Sequence, residues 1–233
     1  MAENRRPRFG AAARMGRSDA STVVVLGLGR FGRGVALELM EAGCDVLGID
    51  SDPAVVQSLN GLLTHVVRAD TTDEVAMRQL SVHEADHIVV AIGGDLADSI
   101  LTSSLMIRFE PAHLWAKAND SRHETILRQL GVEHVVHPER DMGRRVAHLV
   151  RSAVEDFVQL DQALAIVRTQ VPRRLLGQDL RAAGLADEHG MRVVAVREGA
   201  GWRFPPGHYV LQPTDTVLVA GPVRDVEAFA AED

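Results

Sequence analysis

Three glycines and one acid carry the first chemical signal in this chain. Gly27, Gly29 and Gly32 occupy the three places of GxGxxG, and Asp50 follows roughly 20 residues later. In a dinucleotide-binding turn the first glycine permits the bend, the second lets backbone approach a phosphate, and the third lets a helix pack closely on a sheet. The phosphate then sits at the helix N-terminus, where free N–H groups and the macrodipole both favour an anion. A carboxylate at the position of Asp50 accepts hydrogen bonds from ribose hydroxyls. Arg30 and Phe31 lie between the second and third glycines. The Arg30 guanidinium can turn to a phosphate or remain solvated. Asp50, Ser51 and Asp52 supply no cation for a 2′-phosphate, which favours NAD(H) or an adenosine nucleotide over NADP.

The elements needed to position these groups are written as hydrophobic patterns. Val23, Val24, Val25 and Leu26 form an apolar run suited to a strand buried on both faces. Further strands are expected at 45–49, 65–68, 87–91, 114–118 and 134–136, with helices between them. This alternation predicts an α/β, Rossmann-like, doubly wound parallel sheet covered on both sides. The first helix shows Val35, Leu39 and Ala42 on one face, and the second starts with Asp52 as N-cap and Pro53 at its first position. Right-handed crossovers gather the carboxyl ends of the strands on one edge. There the remaining polar signals fall: Asp70 and Thr71, then Ala91, Ile92, Gly93 and Gly94, then Lys117, the only lysine. Asp70 can bond near an adenine or ribose, or cap a helix starting near Thr72. Gly93 and Gly94 let backbone pass close to a nucleotide. Lys117 is placed for a phosphate contact or for plain solvation.

The 233 residues suffice for two modest domains, and 46% of them are hydrophobic. A net charge of −7 argues against a nucleic-acid partner. The single cysteine, Cys44, excludes a disulfide framework and fits a reducing cytosol as a small buried residue near a helix end. No apolar run reaches the length of a membrane span. Residues 1–20 carry Arg5, Arg6, Arg8, Arg14 and Arg17 without an apolar core, so the segment reads as a disordered basic tail and not a secretory signal; attraction to an anionic membrane face is its second reading. The expected division is a nucleotide-binding domain at 21–138, a linking helix at 139–159 and a smaller α/β domain at 160–233. Met142, Val146, Leu149, Val150, Ala153 and Phe157 recur along the linker at helical spacing, for joining the domains or packing on a neighbouring subunit. Glu139 just before them offers favourable charge at a helix start, or a hard-metal ligand. In the smaller domain strands are expected at 163–169, 192–197 and 215–220, with helices at 175–183 and 223–230.

GLGRFG at 27–32, Asp50, VVAIGGD at 89–95, KAND at 117–120 and HPERDMG at 137–143 together resemble the cytosolic regulatory subunits of bacterial Trk/Ktr potassium-uptake systems. Those subunits join an RCK (KTN, TrkA-N) nucleotide-binding domain to a smaller RCK_C (TrkA-C) domain. The resemblance implies ATP, ADP or NAD(H) as ligand, a homodimer that assembles into an octameric ring, and a membrane-embedded potassium translocating subunit as partner, with the protein peripheral on the inner membrane face. It implies that Gly27, Gly29, Arg30 and Gly32 hold phosphates, Asp50 the ribose and Asp70 the region near the base, with Lys117 near the phosphates. Glu139 matches an acid that in some members helps bind a divalent cation, Mg²⁺ or Ca²⁺, at the ATP γ-phosphate across the dimer interface. Some relatives also bind cyclic di-AMP through an Ile-Ile-Asp…Arg constellation, which Leu180, Arg181, Ala182 and Ala186 do not reproduce.

A small NAD-dependent oxidoreductase is the alternative. It needs a proton donor or acceptor aimed at a nicotinamide. The one tyrosine, Tyr209, lies far into the smaller domain, and no paired histidine and acid is expected at a strand end. His65, His134 and His148 read as ordinary partly buried or surface residues. A redox-sensing repressor lacks a DNA-binding module. A nucleotide-responsive regulatory subunit without catalytic residues is therefore the expected function.

Overall fold

The apolar run after residue 21 forms β1 (Thr22–Leu26), whose last four side chains are buried. In the computed structural model, which describes residues 21–151 and 154–231, the chain divides into two units, one ending at Glu139 and the other starting at Arg140. The expected tail at 1–20, and Ala153 of the linker pattern, lie outside the described residues.

In the first unit β1 leads through α1 (Arg30–Glu41), β2 (Asp45–Asp50), α2 (Pro53–Ser58), β3 (His65–Arg68) and α3 (Glu74–Gln79) to β4 (His87–Val90). It continues through α4 (Leu96–Arg108), β5 (His113–Lys117), α5 (Ser121–Leu130) and β6 (His134–Val136) into α6 (Pro138–Arg151). The six strands are parallel in the order β3-β2-β1-β4-β5-β6, so the chain doubles back between β3 and β4 as a doubly wound sheet requires. On one face Leu26, Ile49, Ile88, Val90, Leu114 and Ala116 pack with Met77, Met106 and Leu127 of the helices. On the other Val25, Val46 and Val89 pack with Ala36 and Leu59.

That second face is covered unevenly. The expectation of cover on both sides fails at β5, where Leu114 and Ala116 are buried but His113 and Trp115 are exposed. The buried positions of α1 are Gly32 and Ala36, with Val35 and Leu39 only half-buried, and Ala42 is its C-cap. Val35 and Leu39 pack against the same core cluster as Ala36, on the expected face. Cys44 is free and half-buried. Aspartates cap α2 to α5: Asp52, Asp73, Asp95 and Asp120 each accept a first-turn backbone N–H. Among the described residues no helix is long and apolar enough to cross a membrane.

The second unit holds a five-stranded antiparallel sheet, order β10-β9-β11-β8-β7. Its elements are β7 (Asp156–Gln159), β8 (Leu164–Gln170), α7 (Leu185–His189), β9 (Arg192–Glu198), β10 (Gly201–Arg203), β11 (Thr216–Pro222) and α8 (Val223–Ala231). Three expectations are corrected here. The helical pattern does not run to Phe157: that residue lies on β7, opposite Val167, with 1% of its surface exposed. The segment 175–183 is not a helix. Its backbone bonds run across to another loop instead, from Gly177 N to Leu211 O and from Leu180 N to Tyr209 O, and Gly177 has a φ of +75°. β10 was missed because glycine-rich residues 199–201 read as turn; Gly201 pairs with Glu198.

Candidate functional site

Gly27 turns the chain out of β1 with a φ of +88°, a conformation that side chains resist. A methyl group on Gly32 would lie 1.9 Å from the Gly27 carbonyl oxygen, so the third glycine holds α1 against the turn. Gly29 has no atom within 4 Å of where a methyl would stand, and it is the N-cap of α1 without any side-chain capping bond. Unlike the four aspartate-capped helices, α1 therefore presents its first N–H groups with no carboxylate in front of them. An anion meets donors there that no side-chain cap has taken.

Two cavities flank this turn and share Gly29, Ala91, Gly93 and Gly94 as a common wall. The larger, about 540 Å³, adds Arg30, Phe31, Lys117, Asn119 and Glu139. The smaller, about 360 Å³, adds Gly27, Asp50, Ser51, Ala69, Asp70, Thr71, Ile92, Asp95 and Asp98. Both cations fall in the first and four carboxylates in the second, so one side suits phosphates and the other suits hydroxyl and amino donors. Of the residues assigned to the nucleotide site from the sequence, Gly32 alone lines neither cavity.

Asp50 is braced before any ligand arrives: its two oxygens accept the backbone N–H groups of Leu28 at 2.7 Å and Asp52 at 2.8 Å. This locks the glycine turn to the end of β2 and leaves lone pairs facing the cavity. Asp70 is not a helix cap, since Asp73 caps α3; Asp70 accepts from Thr72 N and Oγ1 at 2.9 and 2.7 Å, and those bonds hold its carboxyl below the usual range. Thr71 is buried, with its hydroxyl 2.8 Å from that of Thr102. Ser51 brings a surprise: its carbonyl accepts from Arg68 Nε at 3.0 Å. A guanidinium therefore stands beside Asp50 after all, delivered from the neighbouring strand.

Lys117 Nζ lies 2.7 Å from Glu139 Oε1, and the lysine side chain is only 11% exposed. This hydrogen bond is the main cause holding the Glu139 carboxyl below its ordinary range, with Arg30 adding to it. Asn119 Nδ2 donates to Gly93 O at 3.0 Å, fixing the loop between the cavities. Asn119, Ala69 and Asp98 carried no assigned role in the sequence reading; Asn119 stood inside KAND, where the spacing from Lys117 was its only signal.

The TrkA-N domain family matches residues 23–138 and the TrkA-C domain family residues 164–232. Ktr system potassium uptake protein C of Bacillus subtilis is 33% identical over 207 residues, spanning 88% of this chain and 94% of that protein. The chain belongs to this family. Ktr system potassium uptake protein A of Vibrio alginolyticus is 32% identical over 200 residues, 85% of this chain and 91% of the relative. The RCK domain of GsuK shares the fold at a TM-score of 0.63 and 16% identity, covering 94% of this chain and 49% of that one.

The chain also pairs histidines with acids, contrary to expectation. His137, just past β6 and 4% exposed, lies 2.7 Å from Glu124 Oε2. His148 stacks on Phe157 with ring centroids 4.0 Å apart and bonds Glu227, which also pairs with Arg151. None of these lines either cavity. The second unit has a cavity of about 380 Å³ bordered by Leu180, Arg181, Gly184 and Ala186.

Proposed function

We propose that this chain is the cytosolic, nucleotide-responsive regulatory subunit of a Trk/Ktr-type potassium uptake system. It binds ATP or ADP, with NAD(H) as the alternative adenosine ligand, and acts on a membrane potassium translocating subunit at the inner face of the membrane. The observation that carries the reading is the uncapped start of α1 set between a cationic and an acidic cavity. Phosphates would lie over Gly29, Arg30 and Lys117, the ribose at Asp50 and Ser51, and the base near Asp70. The names of the family's relatives supply the transport context.

Glu139 gives the site a means of telling ATP from ADP. Its carboxylate now satisfies Lys117. A terminal phosphate competes for that lysine, and an Mg²⁺ or Ca²⁺ ion on the phosphate would take the released carboxylate as a hard oxygen ligand. A homodimer, extending to an octameric ring, agrees with Met142, Val146 and Val150, which are exposed and four residues apart on α6. A ligand biases such an assembly only through its difference in affinity for two arrangements. Of the His, Tyr or Lys side chains that an oxidoreductase would use, the two cavities hold Lys117, which is bonded to Glu139.

Titration of the purified protein with ATP, ADP, NADH and NADPH, each with and without Mg²⁺ or Ca²⁺, tests the proposal. ATP affinity is expected to rise with the cation and ADP affinity to stay level, and Glu139→Gln should abolish only the rise. Equal response of both nucleotides, or no binding of any, would sink it.

A further inference from the structure

The two cavities occupy the carboxyl edge of the parallel sheet; its amino edge carries different chemistry. His113 opens β5, His134 opens β6, and Glu133 precedes His134. His113 Nδ1 lies 3.6 Å from Glu133 Oε2, and His134 Nε2 lies 3.4 Å from Glu133 Oε1. One ligand atom from each of the three residues falls within 4.8 Å of the others. These gaps exceed an ordinary hydrogen bond. They approach the separation of roughly 3.3 Å between ligands placed tetrahedrally at about 2.0–2.1 Å from a zinc ion.

Both imidazoles are held by their neighbours. His87 and His113 are register partners on β4 and β5, stacked with centroids 4.9 Å apart and planes 12° from parallel. Trp115 and His134 are partners on β5 and β6, stacked at 4.1 Å. His113 and Trp115 are two residues apart on one strand and so share a face. On that face the rings remain accessible: the side chains of His113, Glu133 and His134 are 49%, 54% and 36% exposed.

We propose that His113, Glu133 and His134 form a binding site for a divalent transition-metal cation, with Zn²⁺ the ion favoured by two imidazoles and one carboxylate. Mg²⁺ and Ca²⁺ prefer oxygen-only sets, which separates this site in chemistry as well as in place from Glu139. Three protein ligands leave the fourth position to water, the arrangement of an open zinc site. Bound there, the ion clamps edge strand β6 to β5.

The test uses the full chain, stripped with a chelator and then titrated with Zn²⁺ by calorimetry and with Co²⁺ by visible absorption. About one equivalent should bind per chain, with Co²⁺ giving the intense bands of a four-coordinate site. Excess Mg²⁺ should not compete. His113→Ala and His134→Ala should each weaken binding at least about tenfold, with His→Gln at the same positions as second variants should either alanine form lose its native circular dichroism. Absence of saturable binding to the unaltered protein, or unchanged affinity in both folded histidine variants, overturns the proposal.

Discussion

Gly29 and Gly32 belong to one motif, yet different atoms constrain them. A methyl at position 32 meets the backbone oxygen of Gly27, which cannot move without opening the turn. Gly32→Ala should therefore lower stability by about 3 kcal/mol in thermal or denaturant unfolding. Gly29→Ala should cost about 1 kcal/mol or less, since its methyl meets no atom, while sharply reducing nucleotide affinity in calorimetry because the methyl stands where a phosphate approaches. Lys117→Ala should weaken ATP and ADP alike by about tenfold or more, the usual worth of a charge-assisted bond. Equal affinity in that variant would place the phosphates elsewhere. His123 sets a pH dependence: it is 1% exposed, its Nδ1 accepts from Asn119 N, and its Nε2 has no partner among the described residues. Burial depresses its pKa, opposed by Asp120 and assisted by His137. A base with a depressed folded pKa contributes stability that is complete above the unfolded value of about 6.5 and lost as pH falls below it. Melting temperature should consequently drop between about pH 7 and 5.5 in the unaltered chain, and less so in His123→Gln.

At the scale of elements, local signals decided the first unit and long-range pairing decided the second. Asp52 with Pro53 wrote the start of α2 in two residues, and the apolar runs wrote the strands to within a residue. β7 had no such signature. Four residues after a helical pattern can continue the helix or leave it, and here pairing with β8 captures them. Phe157→Ala should then cost about 3–5 kcal/mol in the unfolding of the second unit, as a fully buried core residue does, whereas Val158→Ala, half exposed on the same strand, should cost far less. Comparable costs for both would contradict the strand. The same logic covers 175–183, whose apolar spacing suits a helix until Gly177 and the bonds to 207–211 are counted.

The whole molecule has separate cores in its two units: residues around β1, β4 and α4 on one side of the boundary, and Phe157, Val167, Val217 and Phe229 on the other. A ligand that binds only the folded first unit stabilises it by about 2.7 kcal/mol at a hundred times its dissociation constant. Hydrogen exchange should show that gain as slowed exchange in the β1 and β4 amides when ATP is added; unchanged protection there would mean that the ligand does not bind over the glycine turn.

The residues by themselves determined the glycine turn, Asp50, the alternation of strands and helices, and so the edge on which Asp70, Gly93 and Lys117 fall, because each rests on periodicity or on backbone freedom encoded within a few positions. Only tertiary structure decided which polar groups are already engaged. Thr71 shares its hydroxyl with Thr102, Arg68 crosses to Ser51, and His113, His134 and Glu133 gather on a sheet face that no periodicity marks as open. Strand register brings together residues more than 15 positions apart, and a side chain's partners follow from that register, which no local stretch of sequence contains.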